Sequence, residues 1–199
     1  MRVYDRRIER NKERILRATL ELFQVHGIKK TTTHDIAQKA GISPATVYNH
    51  FGTKEDLVHA AVKYFLTVAA VDFRKIVEGD LPFLKKLEQV ILYKSDMFGR
   101  YQGELLQTII SENPEIRQIV DSVSRVEITP YVIAFYEEGK RQGYINPDLS
   151  TETIMRFSEI IRKGMAAESS LSEDPEKNRE LLQELIPPYL YGILGKPGK

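Results

Sequence analysis

The stretch Thr32–Asp56, TTHDIAQKAGISPATVYNHFGTKED, decides the fold. Thr32 stands three residues before Asp35, the spacing of a capping box in which hydroxyl and carboxylate satisfy each other's backbone N–H groups. The acid also meets the positive end of the helix it opens. Ile36, Ala37 and Ala40 give that short helix an apolar inner face. Gly41 follows as the residue that tolerates a left-handed turn, Ile42 plugs the junction, and Ser43 caps a third helix whose first residue is Pro44. Thr53 and Asp56 repeat the box at the start of a fourth helix. Helices of only about two turns do not stand alone, because nucleation costs outrun their few hydrogen bonds. These two must pack with the first helix as a three-helix unit, and the pattern is a helix-turn-helix.

Val47 and Phe51 lie four residues apart and turn inward, which leaves Pro44, Ala45, Thr46, Tyr48 and Asn49 facing outward. That face is uncharged but rich in hydroxyl, amide and methyl groups. Such groups suit the DNA major groove: Asn pairs two ways with adenine, Thr donates or accepts, and an Ala or Thr methyl meets the thymine methyl. Recognition helices present their N-terminal residues to base edges. Phosphate contacts are expected from Thr32, Thr33, Tyr48, His50 and Lys54, with backbone amides at the starts of the second and fourth helices adding to them. His34 and Ser43 complete the candidate set. A helix-turn-helix used only for packing is the competing reading, yet packing does not require Tyr, Asn, His and Lys on one exposed face. Arg6, Arg7 and Arg10 either reach a neighbouring groove or form a solvated helix face.

Outward from this segment, charge is unevenly spread. Residues 1–60 carry 11 Lys and Arg against 7 Asp and Glu, and the other 139 carry 18 against 21, so +4 faces −3 within a net +1. All four histidines, His26, His34, His50 and His59, fall in the positive part, where a polyanion would be met. The 199 residues contain no cysteine, which removes disulfides, thiolate nucleophiles and cysteine-ligated zinc, and residues 61–199 contain no histidine. There is no Gly-rich phosphate loop and no nucleophile with a base, so neither catalytic residues, metal nor cofactor is expected. No apolar run approaches the roughly 18–20 residues that cross a bilayer, and MRVYDRRIERNKERI has no signal-peptide core. A soluble, cytoplasmic protein without a membrane partner is the expectation.

Apolar spacing is helical throughout, as in Ile8, Ile15, Leu16, Leu22 and Phe23. Ser43-Pro44, Asn113-Pro114 and Asp174-Pro175 each place a cap before a first-turn proline, and Asp80 before Pro82 offers a fourth such start. These signals predict helices over about 5–26, 33–40, 44–51, 54–78, 81–98, 101–111, 114–142, 151–168 and 175–194. Pro130 must kink or split the seventh, and Pro187-Pro188 the ninth.

Ile36-Ala37, Ala40-Gly41, Ser43, Tyr48, His50-Phe51 and Lys54-Glu55-Asp56-Leu57 resemble, in spacing and type, the N-terminal pattern of the TetR/AcrR family, over about residues 10–60. Gly52 departs from it, standing where the family usually has proline or a polar residue, and is expected to loosen the junction after the recognition helix. The resemblance implies an all-α fold: a three-helix DNA-binding domain over 1–53, a helical effector-binding and dimerisation domain over 54–194, and a tail over 195–199. It further implies a homodimer on a palindromic double-stranded operator, released by a small-molecule effector, and hence a repressor. For the effector, Tyr93, Met97, Tyr101, Tyr131, Tyr136 and Met155 offer large adaptable side chains suited to an apolar or aromatic ligand, or they fill the core. For the dimer, Ile154, Phe157, Ile161 and Met165 on the eighth helix and Leu181, Leu185, Ile186, Tyr189 and Ile193 on the ninth form a partner surface or domain core. A DNA-organising protein without an effector is the rival reading.

Overall fold

The computed structural model describes residues 3–100, 104–109, 111, 113–157, 160 and 184, and its elements are helical. They run α1 (Val3–Lys30), α2 (Thr33–Ala40), α3 (Pro44–Phe51), α4 (Lys54–Glu78), α5 (Phe83–Arg100), α6 (Glu104–Ile109), α7 (Pro114–Val123), a π-helical turn (Ser124–Ile128) and α8 (Thr129–Arg141). Residues 151–157 are helical again. Among the described residues no helix is long and apolar enough to cross a membrane. The predicted cap at Asp174-Pro175 and the tail over 195–199 lie outside the described residues, as does the ninth helix apart from the helical Glu184.

Local chemistry explains most of these boundaries. α1 is interrupted at Gly27 (φ 77°, ψ 167°), a backbone position that only glycine adopts readily, so the regular helix ends where the sequence places its end. α2, α3 and α4 begin and end at the predicted residues. The Asn113 side chain accepts from the backbone N–H groups of Glu115 and Ile116, and Pro114 follows in the first turn of α7. α5 starts later than predicted, because its first bonds run from Lys85 and Lys86 to the carbonyl of Pro82. The long seventh helix is split as Pro130 requires: it passes through the π turn and restarts as α8 with the proline in the first turn.

By packing, the chain forms two compact units, Met1–Ala69 with Tyr101–Ser124, and Ala70–Arg100 with Arg125–Lys199. The first is built on Ile15, Ala18, Ile36, Ala37, Ala40, Val47 and Leu57, with Leu16, Leu22, Ile42 and Phe51 packed against them. This is the three-helix unit plus the start of α4, and α6 also packs on α1. The second is built on Phe73, Val77, Phe83, Leu87, Val90, Phe135, Ile145 and Ile154. Its centre is a stack: the Phe83 ring lies 4.8 Å from Phe135 and 5.4 Å from Tyr144, centroid to centroid. Gly139 of α8 makes room for it, since a Cβ there would fall 2.5 Å from the Phe83 ring. Lys86 is buried in this unit with its charge satisfied, its ammonium 2.9 and 3.1 Å from the two oxygens of Glu138, which also accepts from Gln142.

Candidate nucleic-acid interface

The reading face rests on two helices whose ends are tied at every point. At the start of α2, Thr32 Oγ1 accepts from the Asp35 N–H at 3.2 Å, while Asp35 Oδ2 accepts from the Thr32 N–H at 2.9 Å and from its hydroxyl at 2.6 Å. The hydroxyl bond first, and the backbone bond second, hold the Asp35 carboxyl below the usual carboxylate range. Thr53 and Asp56 repeat this geometry at the start of α4, with the same two causes and the same direction of shift.

Between α2 and α3 the chain turns on Gly41 (φ 63°, ψ 42°). The Gly41 N–H donates to Gln38 and the Ile42 N–H to Ala37, which closes the end of α2. Arg14 of α1 adds a bond that sequence reasoning missed: its Nη2 donates to the Ala40 carbonyl at 2.6 Å. Its partner is distant in sequence, so no local spacing points to it. Ser43 then caps α3 by accepting from the Thr46 N–H at 3.2 Å, and the two hydroxyls lie 2.8 Å apart. α3 closes at Gly52 (φ 73°, ψ −101°), whose N–H donates to Tyr48 at 2.8 Å. Gly52 therefore terminates the helix in a conformation that side chains resist.

With α3 fixed this way, Val47 is 2% exposed and Phe51 half-buried, whereas Tyr48 is 54% exposed and Ser43, Pro44, Ala45 and Asn49 are exposed beside it. Thr46 and His50 are half-buried on the same helix, the His50 ring edge-on to Phe51 at 6.3 Å. On α2 and its cap, Thr32 and His34 are exposed and Thr33 is half-buried. Lys54 is half-buried and already engaged, its ammonium 3.3 Å from the Lys29 carbonyl. The N–H of the same Lys29 donates to Glu104 Oε2 of α6 at 2.8 Å. The structure thus brings the α3 candidates onto one uncharged, polar face.

Residues 15–61 match the family described as Bacterial regulatory proteins, tetR family. The HTH-type transcriptional regulator UidR of Escherichia coli (strain K12) is 27% identical over 175 residues, which span 86% of this chain and 87% of UidR. Residues 15–61 thus carry a segment similar to the tetR-family regulators, within a chain similar to such a regulator over most of its length. These likenesses support a DNA-binding transcriptional regulator. The HTH-type transcriptional repressor KstR2 of Mycobacterium tuberculosis (strain ATCC 25618 / H37Rv) is 25% identical over 149 residues, 72% of this chain and 73% of KstR2. In fold the chain is similar to the transcriptional regulator FadR of Bacillus subtilis, solved with stearoyl-CoA: TM-score 0.66 at 17% identity, over 91% of this chain and 98% of FadR.

Of the remaining candidates, Tyr93, Met97, Tyr131, Tyr136, Ile154, Met155 and Phe157 are described residues of the second unit. Tyr131 and Tyr136 are half-buried against its core, with the Arg74 guanidinium 5.1 Å from the Tyr131 ring centroid. Tyr93, Met97 and Met155 are half-buried, and Tyr101 lies outside the described residues. Ile154 is 2% exposed and belongs to its own chain's core, while Phe157 is 39% exposed. Ile161, Met165, Leu181, Leu185, Ile186, Tyr189 and Ile193 lie outside the described residues.

Proposed function

We propose that this chain is a TetR-family regulator, a cytoplasmic homodimeric repressor that occupies a palindromic operator through α3 and leaves it when a small molecule binds the helical body. The observation that carries the DNA reading is the exposed, uncharged Pro44–Asn49 face on a helix fixed by caps at both ends. A rigid polar face offers hydrogen bonds to base edges with little ordering cost. On this reading residues 1–53 read the operator and 54–194 sense and dimerise. Base contacts come from Pro44, Ala45, Thr46, Tyr48 and Asn49, and phosphate contacts from Thr32, Thr33, His34, Ser43, His50 and Lys54. KstR2, a repressor by name, supports repression over activation.

The effector we propose is apolar or aromatic, held among Tyr93, Met97, Tyr101, Tyr131, Tyr136 and Met155. α4 is one helix with residues in both units, 54–69 in one and 70–78 in the other, which supports its carrying the signal. Moving a population from 99:1 to 1:99 takes about 5.5 kcal/mol of differential affinity, within reach of one well-filled site. The test is fluorescence anisotropy on a duplex from the gene's own upstream region against a scrambled duplex, across salt concentrations. A gap of roughly a thousandfold or more that shrinks on Tyr48→Ala or Asn49→Ala supports the reading, and equal binding to both duplexes sinks it. A thermal-shift screen in which only highly charged metabolites stabilise the protein counts against the proposed effector.

A further inference from the structure

In the unit that holds α2 and α3, three ligand-type side chains converge from two helices. Glu55 and His59 are one helical turn apart on α4, and Glu115 enters from the first turn of α7. One donor atom from each lies within 4.8 Å of the other two. His59 Nδ1 stands 3.3 Å from Glu115 Oε2, with the imidazole 18% exposed. That separation exceeds the about 2.7–2.9 Å of a charge-assisted hydrogen bond. It matches a coordination edge: two ligands each about 2.0–2.2 Å from a tetrahedral zinc ion stand roughly 3.3–3.6 Å apart. Among the described residues neither glutamate pairs with a lysine or arginine. Among the described residues the two carboxylates thus have one imidazole beside them and no lysine or arginine, and a divalent ion would offset their like charges.

We propose that Glu55, His59 and Glu115 bind a divalent transition-metal ion of the Zn²⁺ class, with water completing the shell, and that the ion pins the first turn of α7 to the start of α4. One imidazole nitrogen with two carboxylates is a zinc-type donor set, whereas Ca²⁺ and Mg²⁺ favour shells of oxygen alone. All three ligands belong to the same compact unit as α2 and α3. The proposal goes beyond operator reading and does not depend on it, because its test reads metal, not DNA.

The experiment is calorimetric titration of the full-length, tag-free chain with Zn²⁺, alongside Co²⁺ as an absorption probe. One Zn²⁺ per chain is expected, with a Co²⁺ ligand-field band that Zn²⁺ removes and that excess Ca²⁺ or Mg²⁺ leaves intact. His59→Gln and Glu115→Gln should each weaken binding by at least about tenfold and reduce the Co²⁺ band, while His26→Gln, at an exposed histidine of α1, leaves both unchanged. Because Glu115 is exposed, its variant reports even if the His59 variant folds poorly. Saturating Zn²⁺ should raise the Tm of the wild type but not of Glu115→Gln. A wild type that takes up no Zn²⁺ at micromolar concentration overturns the proposal, and so do His59→Gln and Glu115→Gln variants that bind as tightly as the wild type.

Discussion

Asn49 and Lys54 both belong to the proposed interface, yet physics gives them different failures. An amide aimed at a base edge discriminates between bases, so Asn49→Ala should cost about 1–3 kcal/mol on the true operator and little on scrambled DNA. Lys54 would meet a phosphate, so Lys54→Gln should weaken both duplexes alike and lower the slope of log K against log salt by about 1. Anisotropy over a salt series separates the two patterns, and identical behaviour would remove the division of labour. Asp35 and Asp56 set a pH dependence. Both carboxyls are held below their usual range, first by a threonine hydroxyl and then by a backbone N–H. An unfolded aspartate, with a value of about 3.9, binds a proton at higher pH than these folded ones. The stability they contribute is therefore complete above that value and is lost as pH falls through the folded values. Urea midpoints measured from pH 7 to pH 3 should fall less steeply at the acid end in Asp35→Asn/Asp56→Asn, and a parallel decline in both proteins would contradict the assignment.

At the scale of the element, caps made the sequence legible and tertiary partners did not. α2 and α3 announce both ends and α4 its start within a few residues, through Thr32 and Asp35, Ser43 and Pro44, Gly41, Gly52, Thr53 and Asp56, so these bounds follow from local chemistry. Pro130 announced a break, but the π turn over Ser124–Ile128 carries no comparable local mark. Arg14 on Ala40, Glu104 on Lys29 and His59 beside Glu115 each join residues far apart in the chain, and no periodicity encodes such pairs. The aromatic set illustrates the same limit, since Tyr131 and Tyr136 pack on the core in a way that spacing alone leaves undecided. Gly139 is another instance: in sequence it reads as a weak point of α8, and in the fold it is where the Phe83 ring enters. Helix propensity favours Ala over Gly by about 1 kcal/mol. Against this, a Cβ 2.5 Å from a fully buried ring stacked on Phe135 and Tyr144 forces one of them to move. Overpacking of this kind costs about 1–3 kcal/mol, so Gly139→Ala should lower the urea midpoint, and a raised midpoint would show that the stack yields freely.

At the scale of the whole molecule, net charge hides a division that matters for a polyanion, with +4 in residues 1–60 against −3 beyond them. The proposed dimer doubles the positive part on one operator, so steering by the protein's field should make association faster at low salt. How the operator would be felt elsewhere in the reading unit follows from the Lys29 backbone, whose N–H is held by Glu104 and whose carbonyl is held by Lys54. A lysine that turns to a DNA phosphate abandons that carbonyl to water. Thermodynamic linkage would then run in both directions: operator binding would slacken the Lys29 backbone that α6 holds, and whatever draws Glu104 away would free Lys54 for DNA. The signature is an inverted one, a Lys29 amide that exchanges its hydrogen faster in the operator complex while its neighbours slow. An amide protected along with the rest would mean that Lys54 keeps its partner and the two grips are independent.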